Sequence, residues 1–182
     1  MRIISGKCKG RVITPPKNLR ARPTTDFAKE NIFNVLGNLI DFEGIEALDL
    51  FAGTGSISYE LASRGAAGVI AVEINTVHYH FIRATAAALD LQAIHPVKAN
   101  VFLYLKSTEK QFDLIFSDAP YDLEGAETVV DLVFGRSLLK KEGLLIFEES
   151  GKHDFSAHPH FMQTRSYGSV HFSIFRNKAE EK

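Results

Sequence analysis

A chain of 182 residues, 45% hydrophobic and 24% charged, has the size and balance of one soluble globular domain. Its one cysteine, Cys8, excludes an internal disulfide framework. No apolar run approaches the ~18 residues of a membrane span, so the expected setting is the cytoplasm, with no membrane partner. The net charge of −1 conceals an asymmetry. Residues 1–30 carry eight basic and two acidic side chains, a net +6, and the remainder carries 13 and 20, a net −7. Positive charge loaded at one end is the electrostatic footprint of a polyanion partner.

Taken in chain order, Arg2-Ile-Ile-Ser and Arg11-Val-Ile-Thr flank a Gly6–Gly10 turn and predict a hairpin. Thr24 or Thr25 caps a helix in which Ala28, Ile32, Val35, Leu36 and Leu39 follow helical spacing. Strand Ala47–Phe51, a glycine turn and a helix through Arg64 come next. Gly65 ends that helix, and Gly68–Glu73 is a strand. Residues 76–91 form an alanine-rich helix, Ile94–Ala99 a strand and Val101–Lys106 a short helix. Strand Phe112–Ser117 leads into a helix reaching about Phe134, then into strand Gly143–Glu148. Residues 161–167 and 169–176 read as two successive strands turning around Gly168.

Repeated β-α units with short connections predict an α/β fold: a doubly wound, Rossmann-like, mostly parallel seven-stranded sheet. The final strand pair adds an antiparallel C-terminal edge, and the hairpin and helix precede the sheet. Residues 1–40 are expected to form the basic arm and 44–182 the core of a single domain. Ligands in such folds lie outside the carboxyl ends of the strands. Two segments place turns there.

The first turn, Phe51-Ala-Gly-Thr-Gly-Ser56, supplies Gly53 and Gly55 for close approach of a nucleoside to backbone. Glu73 ends the next strand 20 residues after Gly53, where an acid reaches a ribose hydroxyl. A dinucleotide would use a similar pattern, but Ser58 stands where its third glycine belongs. Asn100, after the third strand, is placed either to bond an adenine edge or to cap a helix, with Val101 or Phe102 against the ring. Ile74 is placed to pack on adenine or within the core.

The second turn, Asp118-Ala-Pro-Tyr121, suits a planar amine. Asp118 can accept one N–H and the carbonyl of Ala119 the other. Pro120 holds Ala119 extended, and Tyr121 offers a stacking face worth about 1–3 kcal/mol. The seven histidines show no convincing metal spacing, and no metal is expected.

These residues resemble a class I S-adenosylmethionine-dependent methyltransferase, and more closely the bacterial RsmD family, which methylates N2 of a guanine in 16S ribosomal RNA. The resemblance rests on Met1-Arg-Ile-Ile-Ser-Gly-Lys7, Gly10-Arg11, Arg22-Pro-Thr-Thr-Asp26, Phe33-Asn34 and Leu48–Gly55. Ser63-Arg-Gly-Ala66, Val72-Glu73, Asp118–Tyr121 and Tyr167-Gly168 extend it over nearly the whole chain. It implies S-adenosylmethionine as cofactor, bound by Asp49, Gly53, Gly55, Glu73 and Asn100, beside which Phe51, Ile74 and Val101 are candidates by their place at the turn and strand ends. It implies Asp118, Ala119, Pro120 and Tyr121 around the amine, and Arg2, Lys7, Lys9, Arg11, Arg20 and Arg22 on the RNA of the small subunit or an assembly intermediate. Two positions depart from the family: Ala119 replaces the first of two prolines, and Asn100 an aspartate. Two alternatives stand beside this reading. One is methylation of another amine, such as adenine N6 or a glutamine N5; the other is a nucleotide-binding module without activity.

Overall fold

The computed structural model describes residues 1–17, 19 and 25–178. Arg20, Arg22 and Thr24, on which parts of the phosphate-contact and capping expectations fall, lie outside the described residues. Thr25 Oγ1 accepts the backbone N–H of Ala28 at 3.1 Å and so caps helix α1 (Asp26–Leu36). Next come β1 (Glu46–Leu50), α2 (Ser56–Ser63), β2 (Gly68–Glu73), α3 (Thr76–Ala88), β3 (Ile94–Lys98) and α4 (Val101–Ser107). The chain continues through β4 (Phe112–Asp118), α5 (Thr128–Gly135), β5 (Leu139–Glu149), β6 (Phe161–Tyr167) and β7 (Val170–Arg176).

The sheet order is β3-β2-β1-β4-β5-β7-β6. Strands β1 to β5 are parallel, and β7 runs antiparallel to both β5 and β6. The chain winds outward from β1 through β2 to β3, then returns to place β4 on the other side of β1. That reversal puts the topological switch point, and hence the ligand crevice, at the carboxyl ends of β1 and β4.

Alternate strand residues feed two cores, as the pleat requires. Ala47, Leu114, Phe116, Leu144 and Ile146 pack with residues of α1, α2 and α3 on one face. Leu48, Ile115, Leu145 and Phe147 pack with Leu105 of α4 and Val129 and Val133 of α5 on the other. Among the described residues no helix is long and apolar enough to cross a membrane.

Three elements differ from the sequence-based expectation. The hairpin is short: its one antiparallel bridge, Arg2 with Val12, is flanked by backbone hydrogen bonds of Met1 with Ile13 and of Ile3 with Arg11 and Gly10, and beyond Ile3 the N–H groups of Ile4 and Ser5 go to the carboxylate of Glu60 on α2. Strand β5 begins at Leu139, not Gly143: the register shifts between Phe112 and Leu114, and the polar Lys140–Glu142 stretch is carried along this irregular edge. A Cβ at Gly143 would come within 2.9 Å of the Lys140 carbonyl, so this crowded site takes only glycine. Helix α5 starts at Thr128, leaving residues 119–127 as a loop beside the crevice.

Candidate active site

The turn after β1 is held by its neighbours in sequence-distant strands. Ala52 donates its N–H to the Val72 carbonyl at 3.0 Å, and Gly53 donates to Glu73 Oε2 at 2.8 Å. Phe51, Gly53 and Gly55 all have positive φ, 58°, 55° and 87°. For Phe51 this is an uncommon backbone state, and such strain concentrates at ligand sites. A Cβ on Gly55 would lie 2.7 Å from the buried ring of Tyr59, which fills the space a side chain would need. Glycine at 55 is therefore required both by its positive φ and by the packing of Tyr59 behind the turn.

Glu73 is 8% exposed and also accepts the Asn75 N–H through Oε1 at 2.7 Å. His78 Nδ1 stands 4.0 Å from the same oxygen. Ile74 is exposed, so its side chain is not core. Asn100 Oδ1 accepts the Leu103 N–H at 3.2 Å and caps α4, the structural half of its expected role. Val101 is buried in the core, whereas Phe102 is partly exposed and meets Phe51 edge-on at 6.1 Å. Phe102, weighed beside Val101, is the ring that faces the turn.

Asp49 is buried at the end of β1, where its Oδ2 accepts both the N–H of Ser58 at 3.0 Å and its hydroxyl at 2.5 Å. Burial pushes its carboxyl up to about 7, against the lowering effect of Ser58, and the charges of Asp118 and Glu73 add to the rise. Three carboxylates thus ring the crevice at the ends of β1, β2 and β4. Such a ring favours a cationic ligand group.

At the end of β4, Asp118 is partly exposed, Ala119 is buried, and Leu123 donates its N–H to the Pro120 carbonyl at 2.9 Å to close the turn. A small pocket opens here, lined by Ala119, Pro120, Tyr121, Phe147, Glu148 and Glu149 among others. The sequence places Glu148 only at the end of a strand and gives Glu149 no place in it. Both are buried, 4% and 5% exposed; Tyr121 Oη lies 3.4 Å from Glu148 Oε1, and Glu149 Oε2 accepts the His153 N–H at 2.9 Å.

The basic arm is stitched along α2. The buried Glu60 accepts Ile4 N–H at 2.8 Å, Ser5 N–H at 3.0 Å and Arg64 Nε at 2.8 Å. Lys29, also buried, donates to the Arg2 carbonyl at 2.6 Å and to Ser56 Oγ at 3.1 Å. Desolvation lowers its pKa, opposed by Glu60 and Asp26. Arg2 thus lies near the crevice, at the start of α2. Lys7 lies at the other end: its N–H donates to the Ser63 carbonyl and its Nζ to the Asp90 carbonyl. Seven helical steps at 1.5 Å put the two ends about 10 Å apart. Lys7 and Arg11 line a shallow cavity there with Cys8, Leu89 and Asp90, and Lys9 is exposed nearby. Lys29 and Glu60 were missed in the sequence because a charged residue on a helix reads as solvated.

A β3-β2-β1-β4-β5-β7-β6 sheet with a glycine turn and a carboxylate at the ends of β1 and β2 defines a Rossmann-like methyltransferase. Residues 1–176 match the family described as conserved hypothetical protein 95, the RsmD family, and the chain belongs to it. It is 27% identical over 183 residues to ribosomal RNA small subunit methyltransferase D of Escherichia coli K12, covering 99% of this chain and 91% of that protein. The enzyme of the same name from Buchnera aphidicola is 26% identical over 181 residues, 97% of this chain and 92% of its own. A solved Escherichia coli methyltransferase superposes with a TM-score of 0.85 at 27% identity, with 99% of each chain covered.

Proposed function

We propose that this protein methylates the exocyclic N2 amine of a guanine in the 16S RNA of the small ribosomal subunit. It is an S-adenosylmethionine-dependent rRNA methyltransferase, and the guanine amine is the finer part of the reading. The observation that carries it is the placement of Asp118–Tyr121 at the carboxyl end of β4, next to β1, at the same strand ends as the turn held by Glu73.

S-adenosylmethionine supplies an electrophilic methyl group on a sulfonium. The residues present fit it: the turn carries no side chain at Gly53 or Gly55 to meet a nucleoside, and Glu73 has acceptor capacity left for ribose hydroxyls beyond its two backbone donors. Ile74 and Phe102 offer apolar surface for the adenine, and the amide nitrogen of Asn100 can donate to its edge while Oδ1 caps α4. Asp49, beside Ser58, places negative charge near the cation.

Asp118 accepts one N–H of the amine and the Ala119 carbonyl the other, which turns the nitrogen lone pair toward the methyl group. Pro120 restricts Ala119 to extended backbone and aims its carbonyl. Tyr121 stacks on the base. As nitrogen bonds the methyl group it gains positive charge, which Asp118 stabilises more than it does the neutral amine. The surplus proton leaves along the hydrogen bond to that carboxylate. Arg2, Lys7, Lys9 and Arg11 hold phosphates along a track of about 10 Å beside α2, with Arg20 and Arg22 as further contacts, so the arm belongs to the RNA side and residues 44–182 to the cofactor side of one domain.

Mass spectrometry of nuclease-digested 16S RNA from a deletion strain, with and without the restored gene, tests this. The reading predicts loss and recovery of one N2-methylguanine. Loss of a different methylated nucleoside contradicts it.

A further inference from the structure

We propose that Glu148 makes the site selective for guanine by accepting the base's N1–H beside the amine that Asp118 and Ala119 hold, an inference that rests on the guanine-N2 reading above. Glu148 and Asp118 are register partners on the parallel strands β5 and β4, which lie about 4.8 Å apart. Glu148 continues the alternation Leu144, Ile146, and Asp118 continues Leu114, Phe116, all four in the apolar cluster shared with α1 and α2. Both carboxylates therefore leave the same face of the sheet. Glu148 shares its pocket lining with Ala119, Pro120 and Tyr121, the residues of the amine turn.

An acid 4% exposed beside a second acid opposes stability unless donors meet it. Tyr121 Oη approaches Oε1 at 3.4 Å, which orients the Glu148 carboxylate beside the amine turn, and a carboxylate offers about four acceptor positions. A guanine with its N2 amine at Asp118 presents a second donor, N1–H, immediately beside the first. Adenine presents its amine beside an N1 acceptor, which would face the carboxylate lone pairs. Stacking on Tyr121 cannot separate the two purines, since every base has a π-face. A hydrogen-bonding site can, because the wrong base leaves a buried polar group unpaired; such sites reject analogues by about 10⁴–10⁵-fold.

The test uses 2-aminopurine, which keeps the 2-amine but has an acceptor at N1. Small-subunit particles are reconstituted with guanine or 2-aminopurine at the position the wild-type protein methylates, and single-turnover rates are compared. Wild type should favour guanine by at least ~10³-fold. Glu148→Gln, whose amide can donate to an N1 lone pair, should lower that ratio by at least ~10²-fold, with cofactor affinity within about twofold of wild type. A wild-type rate on 2-aminopurine within tenfold of that on guanine overturns the assignment whether or not the variant folds. A folded Glu148→Gln with an unchanged ratio overturns it too. Wild-type protein that methylates no guanine N2 in any particle overturns the underlying function instead.

Discussion

Gly53 donates its backbone N–H to Glu73 Oε2 at 2.8 Å, so the carboxylate at the end of β2 holds the glycine turn after β1. Its other oxygen holds Asn75 at the entry to α3, where Asn75 Oδ1 in turn caps the helix by accepting from Val77 at 2.9 Å. One side chain thereby organises both the turn after β1 and the entry to α3.

Glu73→Ala should accordingly weaken S-adenosylmethionine binding roughly ten- to a hundredfold, the loss of charge-assisted hydrogen bonds worth about 1.5–3 kcal/mol. Isothermal calorimetry on the folded variant measures this directly. Unchanged affinity would remove Glu73 from the ribose site.

Asp49 makes stability depend on pH. Its folded carboxyl titrates at about 7 against 3.8 for an aspartate in the unfolded chain, so between those values the folded protein binds more protons than the unfolded chain. Stability then falls as pH rises through that window and levels off above it. Asp49→Asn stays neutral and keeps an acceptor for Ser58. In urea unfolding, the stability of the variant relative to wild type should increase from pH 5 to pH 8. A difference that does not change with pH would contradict the burial argument.

Glu60→Ala should cost about 3–5 kcal/mol in denaturant unfolding, because it removes a buried carboxylate from beside Lys29 and the acceptor of the Ile4 and Ser5 amides and of Arg64 Nε. Hydrogen exchange should quicken at residues 1–13 first. Loss of less than 1 kcal/mol would show that the arm docks without this network.

The arm's charge is best tested without removing it, since Ile3 and Ile13 are core residues and deletion would expose the core. Gln at Lys7, Lys9 and Arg11 together should lower the salt slope of RNA binding by up to about 2, at ~0.7 per phosphate contact on a single strand. An unaltered slope in filter binding would place the RNA elsewhere.

The parallel core was legible because β1, β2, β4 and β5 are largely apolar runs ended by a glycine turn or an acid: β1 and β2 fall within a residue of expectation, and Asp118 and Glu73 stand at strand ends as read. The arm was only half legible. The sequence predicts that the Arg2 and Arg11 segments form a hairpin, but nothing local indicates that Glu60, 56 residues from Ile4, would take the Ile4 and Ser5 amides. All eight residues of α2 are buried because the arm covers its outer side, a tertiary effect that helical periodicity does not express. Glu148 escaped for a similar reason. Its register opposite Asp118 depends on the sheet order, which places β5 beside β4.

The most direct measurement is single-turnover methylation of small-subunit particles by Asp118→Ala and Asp118→Asn, with nuclease digestion to locate the product. The alanine variant should lose at least ~10²-fold in rate, the size of removing one preorganised polar group, with cofactor affinity little changed. The asparagine variant should retain part of the activity through its amide oxygen. Wild-type turnover in the alanine variant, or a product other than N2-methylguanine, would contradict the account.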